Sequence, residues 1–188
     1  MTSPSVLPLA YPLDDFYAQA ARPLPPIEAV EGDAMPEPYK SLLVHQDDMT
    51  PTLEKFHGER IHLAVLSSQQ RDDFYFREVV LLLDKSDKPV EFGAIKINLA
   101  LFPPAARKEI LDERRPLGTL LADYAITHAS RPKAFLRVLS DDFINAALKL
   151  DKPQWLCGRR NTLWDPQQRP LAEIVEILPP ETTQLGHG

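Results

Sequence analysis

Residues 72–84 constrain the fold of this chain more than any other part of the sequence. The run is aromatic, β-branched and aliphatic between charged ends, which predicts one long β-strand. Side chains of a strand point alternately to its two faces, so Arg77 shares a face with Tyr75 and Val79. That face is otherwise apolar, and Glu78 points away from it. The strand therefore predicts a guanidinium on the core side of a sheet.

A guanidinium on an apolar face costs free energy unless an anion meets it. In one interpretation, a carboxylate elsewhere in the chain forms a structural ion pair with Arg77, as such pairs do in protein interiors. In the other, Arg77 binds a carboxylate of a ligand through two parallel hydrogen bonds. The residues by themselves leave both interpretations open.

Composition limits the class of protein. A chain of 188 residues is most simply one domain with a real core, and a net charge of −6 argues against a nucleic-acid partner. The single cysteine, Cys157, excludes an internal disulfide and a cysteine-built zinc site. There is no apolar run long enough to span a membrane, and no pattern of a signal peptide. We therefore expect a cytoplasmic protein without membrane contact.

The order of the predicted elements indicates an α+β fold. Short helices precede three strands joined by polar turns, and then come two helices, a strand, a helix and a closing hairpin. Strands joined by short turns pair antiparallel, with helices grouped on one side. Residues 1–38 hold eight of the 19 prolines, which predicts a partly disordered arm that is dispensable for folding. We expect the domain proper at residues 39–180 and a frayed tail at 181–188.

Six short motifs occur in the order typical of chorismate pyruvate-lyases. They are Asp47-Asp48-Met49-Thr50 before a helix, Phe76-Arg77-Glu78 in a strand, Gly93 in the next strand, Pro116-Leu117-Gly118, Gly158-Arg159-Arg160, and Val175-Glu176-Ile177-Leu178-Pro179 at the close. From Tyr39 to Pro180 the sequence resembles this family. The resemblance implies a single six-stranded antiparallel sheet with helices packed on one face. It also implies a buried site, without cofactor or metal, that converts chorismate to 4-hydroxybenzoate and pyruvate.

The resemblance further implies roles for individual residues. Arg77 would bind a substrate carboxylate, and the backbones of Met49 and Leu117 would contact the ligand beneath helical flaps. Glu176 on the closing strand would be the catalytic acid, which manages a proton at the enolpyruvyl ether oxygen. Its apolar face of the strand would raise the pKa of its carboxyl and allow it to donate. Gly93 marks either the close approach of a ligand or a bulge.

Two departures from the family pattern leave part of this assignment open. Counting back from the terminal prolines selects Glu176, whereas counting forward from Arg169 fits Glu173, and alternation places these two acids on opposite faces. The segment 133–154 is longer than in compact members of the family and could reshape the pocket. Arg159 and Arg160 also alternate, and either a surface salt bridge or a second cation for the substrate would explain them.

Other functions compatible with these residues are a non-catalytic domain that binds a small aromatic or carboxylate ligand, and a variant lyase that releases 3-hydroxybenzoate. The first arises because the same fold occurs as the effector-sensing part of bacterial transcription regulators. Residues 1–38 are too rich in proline and acid to form a DNA-binding helix-turn-helix. We expect a monomer or weak dimer whose partners are chorismate and 4-hydroxybenzoate, with no nucleic acid.

Overall fold

A seven-stranded antiparallel sheet forms the centre of the computed structural model, which describes residues 7–181. The strands are β1 (Ile27–Val30), β2 (Ile61–Arg71), β3 (Phe74–Leu83), β4 (Pro89–Asn98), β5 (Ala129–Leu139), β6 (Trp155–Trp164) and β7 (Pro170–Ile177). Their order across the sheet is β1-β5-β6-β7-β4-β3-β2. The predicted α+β class is confirmed, and the sheet has seven strands rather than six.

Within residues 7–181, six α-helices accompany the sheet, most of them short. They are α1 (Leu13–Gln19), α2 (Tyr39–Leu43), α3 (Met49–His57), α4 (Pro104–Leu111), α5 (Leu117–Asp123) and α6 (Asp142–Leu148). Local sequence sets several of their ends: Gly58 ends α3 in the left-handed region at φ 66°, and the Asp141 side chain caps α6 by accepting from Ile144 N. Within residues 7–181, no helix is long and apolar enough to cross a membrane.

Helices cover both faces of the sheet, whereas the resemblance implied helices on one face only. On the face that carries Val79 and Leu81, the cover consists of α2 and α3 at one end and of α4 and α5 at the other. On the face that carries Phe76 and Val80, the cover consists of α1 and α6. The alternation of β3 therefore separates two cores. We call the face that carries Val79 and Leu81 the ligand face, because the cavity described below lies on it.

The N-terminal segment differs from the predicted partly disordered arm. β1 pairs with β5 at the edge of the sheet, and α1 buries Leu13, Phe16 and Tyr17 against the second face. The prolines lie outside both elements, so they bound α1 and β1 without interrupting their hydrogen bonds. The segment is thus part of the folded domain. The predicted frayed tail lies, apart from Glu181, outside the described residues.

Candidate functional site

A small cavity lies on the ligand face, between the sheet and helices α3 and α5. Its volume is about 60 Å³, and most of its lining is apolar. The charged side chains in the lining are Asp48, Arg77, Glu91 and Glu176. Met49, Arg77, Leu117 and Glu176, the residues predicted to contact a substrate, all line this one cavity. Within residues 7–181, no cluster of His, Cys, Asp or Glu is arranged to hold a metal ion.

Arg77 is a buried cation that forms no direct salt bridge in the described part of the chain, although the charge of Glu113 acts on it from beyond Tyr75. Its side chain projects from β3, and the residue is only 1% exposed. Nη1 donates to Ile110 O at 3.4 Å, while Nε has no hydrogen-bond partner within residues 7–181. Burial lowers the pKa of the guanidinium, and the Tyr75 hydroxyl beside it donates to Glu113. The structural ion pair that would have explained Arg77 is therefore not formed by the residues described.

Glu176 is ion-paired with Arg159. Arg159 is fully buried, and its Nε donates to Glu176 Oε2 at 2.5 Å. The other guanidinium nitrogens donate to backbone carbonyls between α2 and α3, at 3.3 Å from Leu43 O, 3.2 Å from His45 O and 3.0 Å from Asp47 O. Of the two interpretations left open for Arg159 and Arg160, a surface salt bridge does not apply to Arg159, because the α2–α3 loop covers this end of β6 and the pair is buried. Arg159 thus links that loop to the sheet through its ion pair with Glu176. The surroundings of Glu176 are therefore not wholly apolar, in contrast to the expectation from the sequence.

Glu173 lies on the opposite face of β7 from Glu176. Thr162 Oγ1 donates to Glu173 Oε2 at 2.7 Å, and an Arg160 nitrogen lies 3.9 Å from the same oxygen. The sheet register sets this arrangement, since Glu173 is opposite Lys96 whereas Glu176 is opposite Gly93. Period-two alternation then sends only Glu176 toward the cavity.

Glu91 is a lining residue that the sequence analysis did not select. It is 5% exposed, and its Oε2 has no hydrogen-bond partner among the residues described. Burial and the neighbouring Glu176 charge raise the pKa of its carboxyl well above the ordinary value, because both disfavour the ionised form. The sequence could have indicated Glu91 as a site residue, because it lies two positions before Gly93 on the same, otherwise apolar face of the strand.

The register between β3 and β4 places Arg77 and Glu91 at opposite ends of the cavity. Arg77 is opposite Ile95, and Leu81 is opposite Glu91. The two levels are four residues apart along the strand, or about 13 Å at the usual rise per residue. Gly93 lies midway and pairs with Val79 in a continuous register, so the bulge interpretation of Gly93 is wrong. A Cβ at Gly93 would stand 3.1 Å from Val175 O.

Helices α3 and α5 form a tight roof over the cavity. A Cβ added at Gly118 would come within 2.9 Å of Thr50 Oγ1, so the glycine permits this close approach of the two helices. His128, which follows α5, is held to Asp48 at the start of α3 by a contact of 2.8 Å from Nε2 to Oδ2. A cavity of about 60 Å³ is smaller than the roughly 150 Å³ space known to hold benzene. A ring-sized ligand therefore requires the roof to move.

Several solved structures resemble this chain. The effector domain of PhnF from Mycobacterium smegmatis is 15% identical with a TM-score of 0.52, and the match covers 70% of this chain and 87% of that one. A gene product of Staphylococcus aureus subsp. aureus N315 is 10% identical with a TM-score of 0.54, covering 73% and 90%. A GntR-family transcriptional regulator from Enterococcus faecalis V583 is 11% identical with a TM-score of 0.44, covering 69% and 98%.

Comparisons of sequence alone identify no relatives: no protein-family model matches the chain, and no curated protein matches it. The structural matches are all far below 25% identity, and what they have in common with this chain is the arrangement of the backbone. The chain therefore has the α+β, chorismate lyase-like fold of these domains, with a seven-stranded sheet.

Proposed function

We propose that this chain is a ligand-binding domain for a small ring compound that carries a carboxylate. The observation that supports this most is Arg77, a guanidinium that is 1% exposed, lines the cavity and leaves Nε without a partner in the described residues. A ligand carboxylate that accepts two parallel hydrogen bonds from it would offset the cost of burying the charge. The apolar remainder of the lining suits the ring.

The structural comparisons support the binding part of this proposal. One neighbour with a TM-score above 0.5 is the effector domain of PhnF, and this chain covers 87% of it. A domain of this fold can thus act as an effector domain in another protein. Binding of a carboxylate ligand without its conversion is accordingly the first function that we propose here.

A chorismate lyase is the second candidate, and one observation favours it. Met49, Arg77, Leu117 and Glu176, which the resemblance to chorismate pyruvate-lyases selected from separate parts of the sequence, surround one cavity. In the reaction, the ether C–O bond breaks and a ring hydrogen leaves as a proton while the ring becomes aromatic. A proton then returns to the pyruvate fragment. The products would be pyruvate and 4-hydroxybenzoate, or 3-hydroxybenzoate if the pocket directs a different sequence of bond breaking.

Titration of the purified chain with 4-hydroxybenzoate, followed by calorimetry, tests the binding proposal. We expect Arg77→Ala to weaken binding by about 2–5 kcal/mol, since the ligand carboxylate then loses its buried cation. Arg137→Ala is the matched control, because Arg137 projects from β5 with a side chain 46% exposed and does not line the cavity. Equal affinity of the wild type and Arg77→Ala would overturn the proposal.

Incubation with chorismate separates the two candidates. Products are identified by mass and by ultraviolet spectrum. Release of pyruvate together with a hydroxybenzoate, lost in Arg77→Ala, would establish the lyase. Recovery of intact chorismate from a protein that binds 4-hydroxybenzoate would leave the ligand-binding domain as the function.

A further inference from the structure

Glu91 is a buried carboxyl group that the proposed carboxylate site does not use. It lines the cavity at 5% exposure, and its Oε2 has no hydrogen-bond partner within residues 7–181. A buried polar atom without a partner costs about 1–3 kcal/mol, so a fold retains one only where something else offsets that cost. A ligand group at this end of the cavity would satisfy Glu91.

The strand register separates Glu91 from Arg77 by a distance that fits a substituted ring. Their levels are four residues apart on β4, about 13 Å between backbone positions, and both side chains line the cavity. Gly93, at the middle level, presents no side chain, and Val79 lies opposite it. The Glu91 carboxyl leans over Gly93, with Oε1 3.4 Å from the position of a Cβ there, so a ring admitted by movement of the roof would lie between this carboxyl and Arg77.

Burial and the charges around Glu91 favour the protonated form of its carboxyl. Glu176 faces it from β7, Arg159 from β6, Arg77 from β3 and Asp48 from the start of α3. The nearby guanidinium of Arg159 already forms an ion pair with Glu176. Burial and the Glu176 charge raise the pKa of Glu91, and they outweigh the opposing effect of Arg159. A neutral carboxylic acid can donate a hydrogen bond, which an ionised one cannot.

We propose that Glu91 donates a hydrogen bond to an oxygen substituent on the ligand ring, at the end opposite the carboxylate that Arg77 binds. This inference rests on the proposed function and narrows its ligand class to ring carboxylates with a hydroxyl or ether oxygen across the ring. The anionic end and the oxygen end then have separate partners. Together they give the ligand one orientation in the cavity.

Paired titrations with 4-hydroxybenzoate and benzoate at pH 7 test this role, since the two probes differ only by the hydroxyl. We expect the wild type to prefer 4-hydroxybenzoate by about five- to tenfold, the factor for one hydrogen bond. Glu91→Leu should bind the two probes equally. Glu91→Gln should keep the preference, because its amide still donates. Glu173→Gln is the matched control on the other face of the sheet, and it should behave as the wild type.

The pH dependence provides a readout that a merely structural role would not change. As the pH is raised, the wild-type preference should decline once Glu91 loses its proton, whereas the preference of Glu91→Gln should stay constant. A preference that persists unchanged in Glu91→Leu would overturn the inference and leave the carboxylate site intact. If the wild type bound neither probe, the proposed function itself would be overturned, and the inference that rests on it would be overturned as well.

Discussion

At the scale of single residues, Arg159 and Glu176 show how much one buried ion pair can organise. Arg159 is fully buried and donates to Glu176, to the carbonyl of Leu43 at the end of α2, and to two carbonyls of the α2–α3 loop. Since α3 is part of the roof of the cavity, this guanidinium links the roof to the floor. Glu176 is thus a structural residue whatever else it does.

We predict that Glu176→Gln lowers the free energy of unfolding by about 3–5 kcal/mol, because it leaves the Arg159 charge buried without a counter-ion. Glu173→Gln should cost distinctly less, since Arg160 lies 3.9 Å from that carboxylate and the Thr162 hydroxyl can still donate to an amide oxygen. Urea unfolding of both variants at pH 7 provides the measurement. Equal losses of unfolding free energy in the two variants would show that the Arg159–Glu176 ion pair does not contribute this much to stability.

At the scale of elements, His128 and Asp48 connect the two halves of the roof. Asp48 occupies the N-cap position of α3, and His128 follows α5. The hydrogen bond with Asp48, and that with Ile126 O, raise the pKa of His128 against the opposing effect of burial. Only the imidazolium donates from both ring nitrogens, so the protonated form is the one that satisfies both partners.

Because the pKa of His128 is raised in the folded protein, its contribution to stability is complete below the unfolded value near 6.5 and disappears as pH rises through the folded value. We predict that His128→Gln costs about 1–2 kcal/mol at pH 5.5 and less at pH 8.5. His62→Gln is the control, since His62 forms an exposed pair with Asp84. Urea unfolding at the two pH values measures the cost of each variant. A cost of His128→Gln that grows with pH would contradict the predicted pH dependence.

At the scale of the whole molecule, the N-terminal segment closes the second face of the sheet. α1 and α6 cover this face, and Leu13, Phe16 and Tyr17 are among its buried core residues. β1 also occupies the edge beside β5, whose backbone would otherwise be unpaired there. Removing residues 1–35 should therefore abolish cooperative unfolding, in contrast to the expectation from composition.

A point substitution tests the same idea without shortening the chain. We predict that Phe16→Ala costs about 3–5 kcal/mol of unfolding free energy, because it leaves a cavity under α1. Leu24→Ala, in the same segment but at a side chain 43% exposed, should stay within about 0.5 kcal/mol. Thermal and urea unfolding give both values. A stable Phe16→Ala variant would return the segment to the status of a dispensable arm.

Much of the fold could be predicted from local pattern. The alternation of residues 72–84 placed Arg77 on the ligand face, and short polar turns indicated antiparallel pairing. The same alternation required Glu173 and Glu176 to point apart, although it did not say which of them faced the cavity. The proline count misled the prediction for residues 1–38, because composition does not record that prolines fall between elements.

The sequence by itself determined which side chains share a face, because the two-residue period of a strand is a property of the local backbone. Only the tertiary structure decided what lies against each face. Arg77 donates to Ile110 O of α4, and Arg159 is buried because the α2–α3 loop crosses it. Glu91 lies opposite Leu81 in the sheet, and its Oε2 has no hydrogen-bond partner within residues 7–181. These partners come from segments distant in the chain, and no local period encodes them.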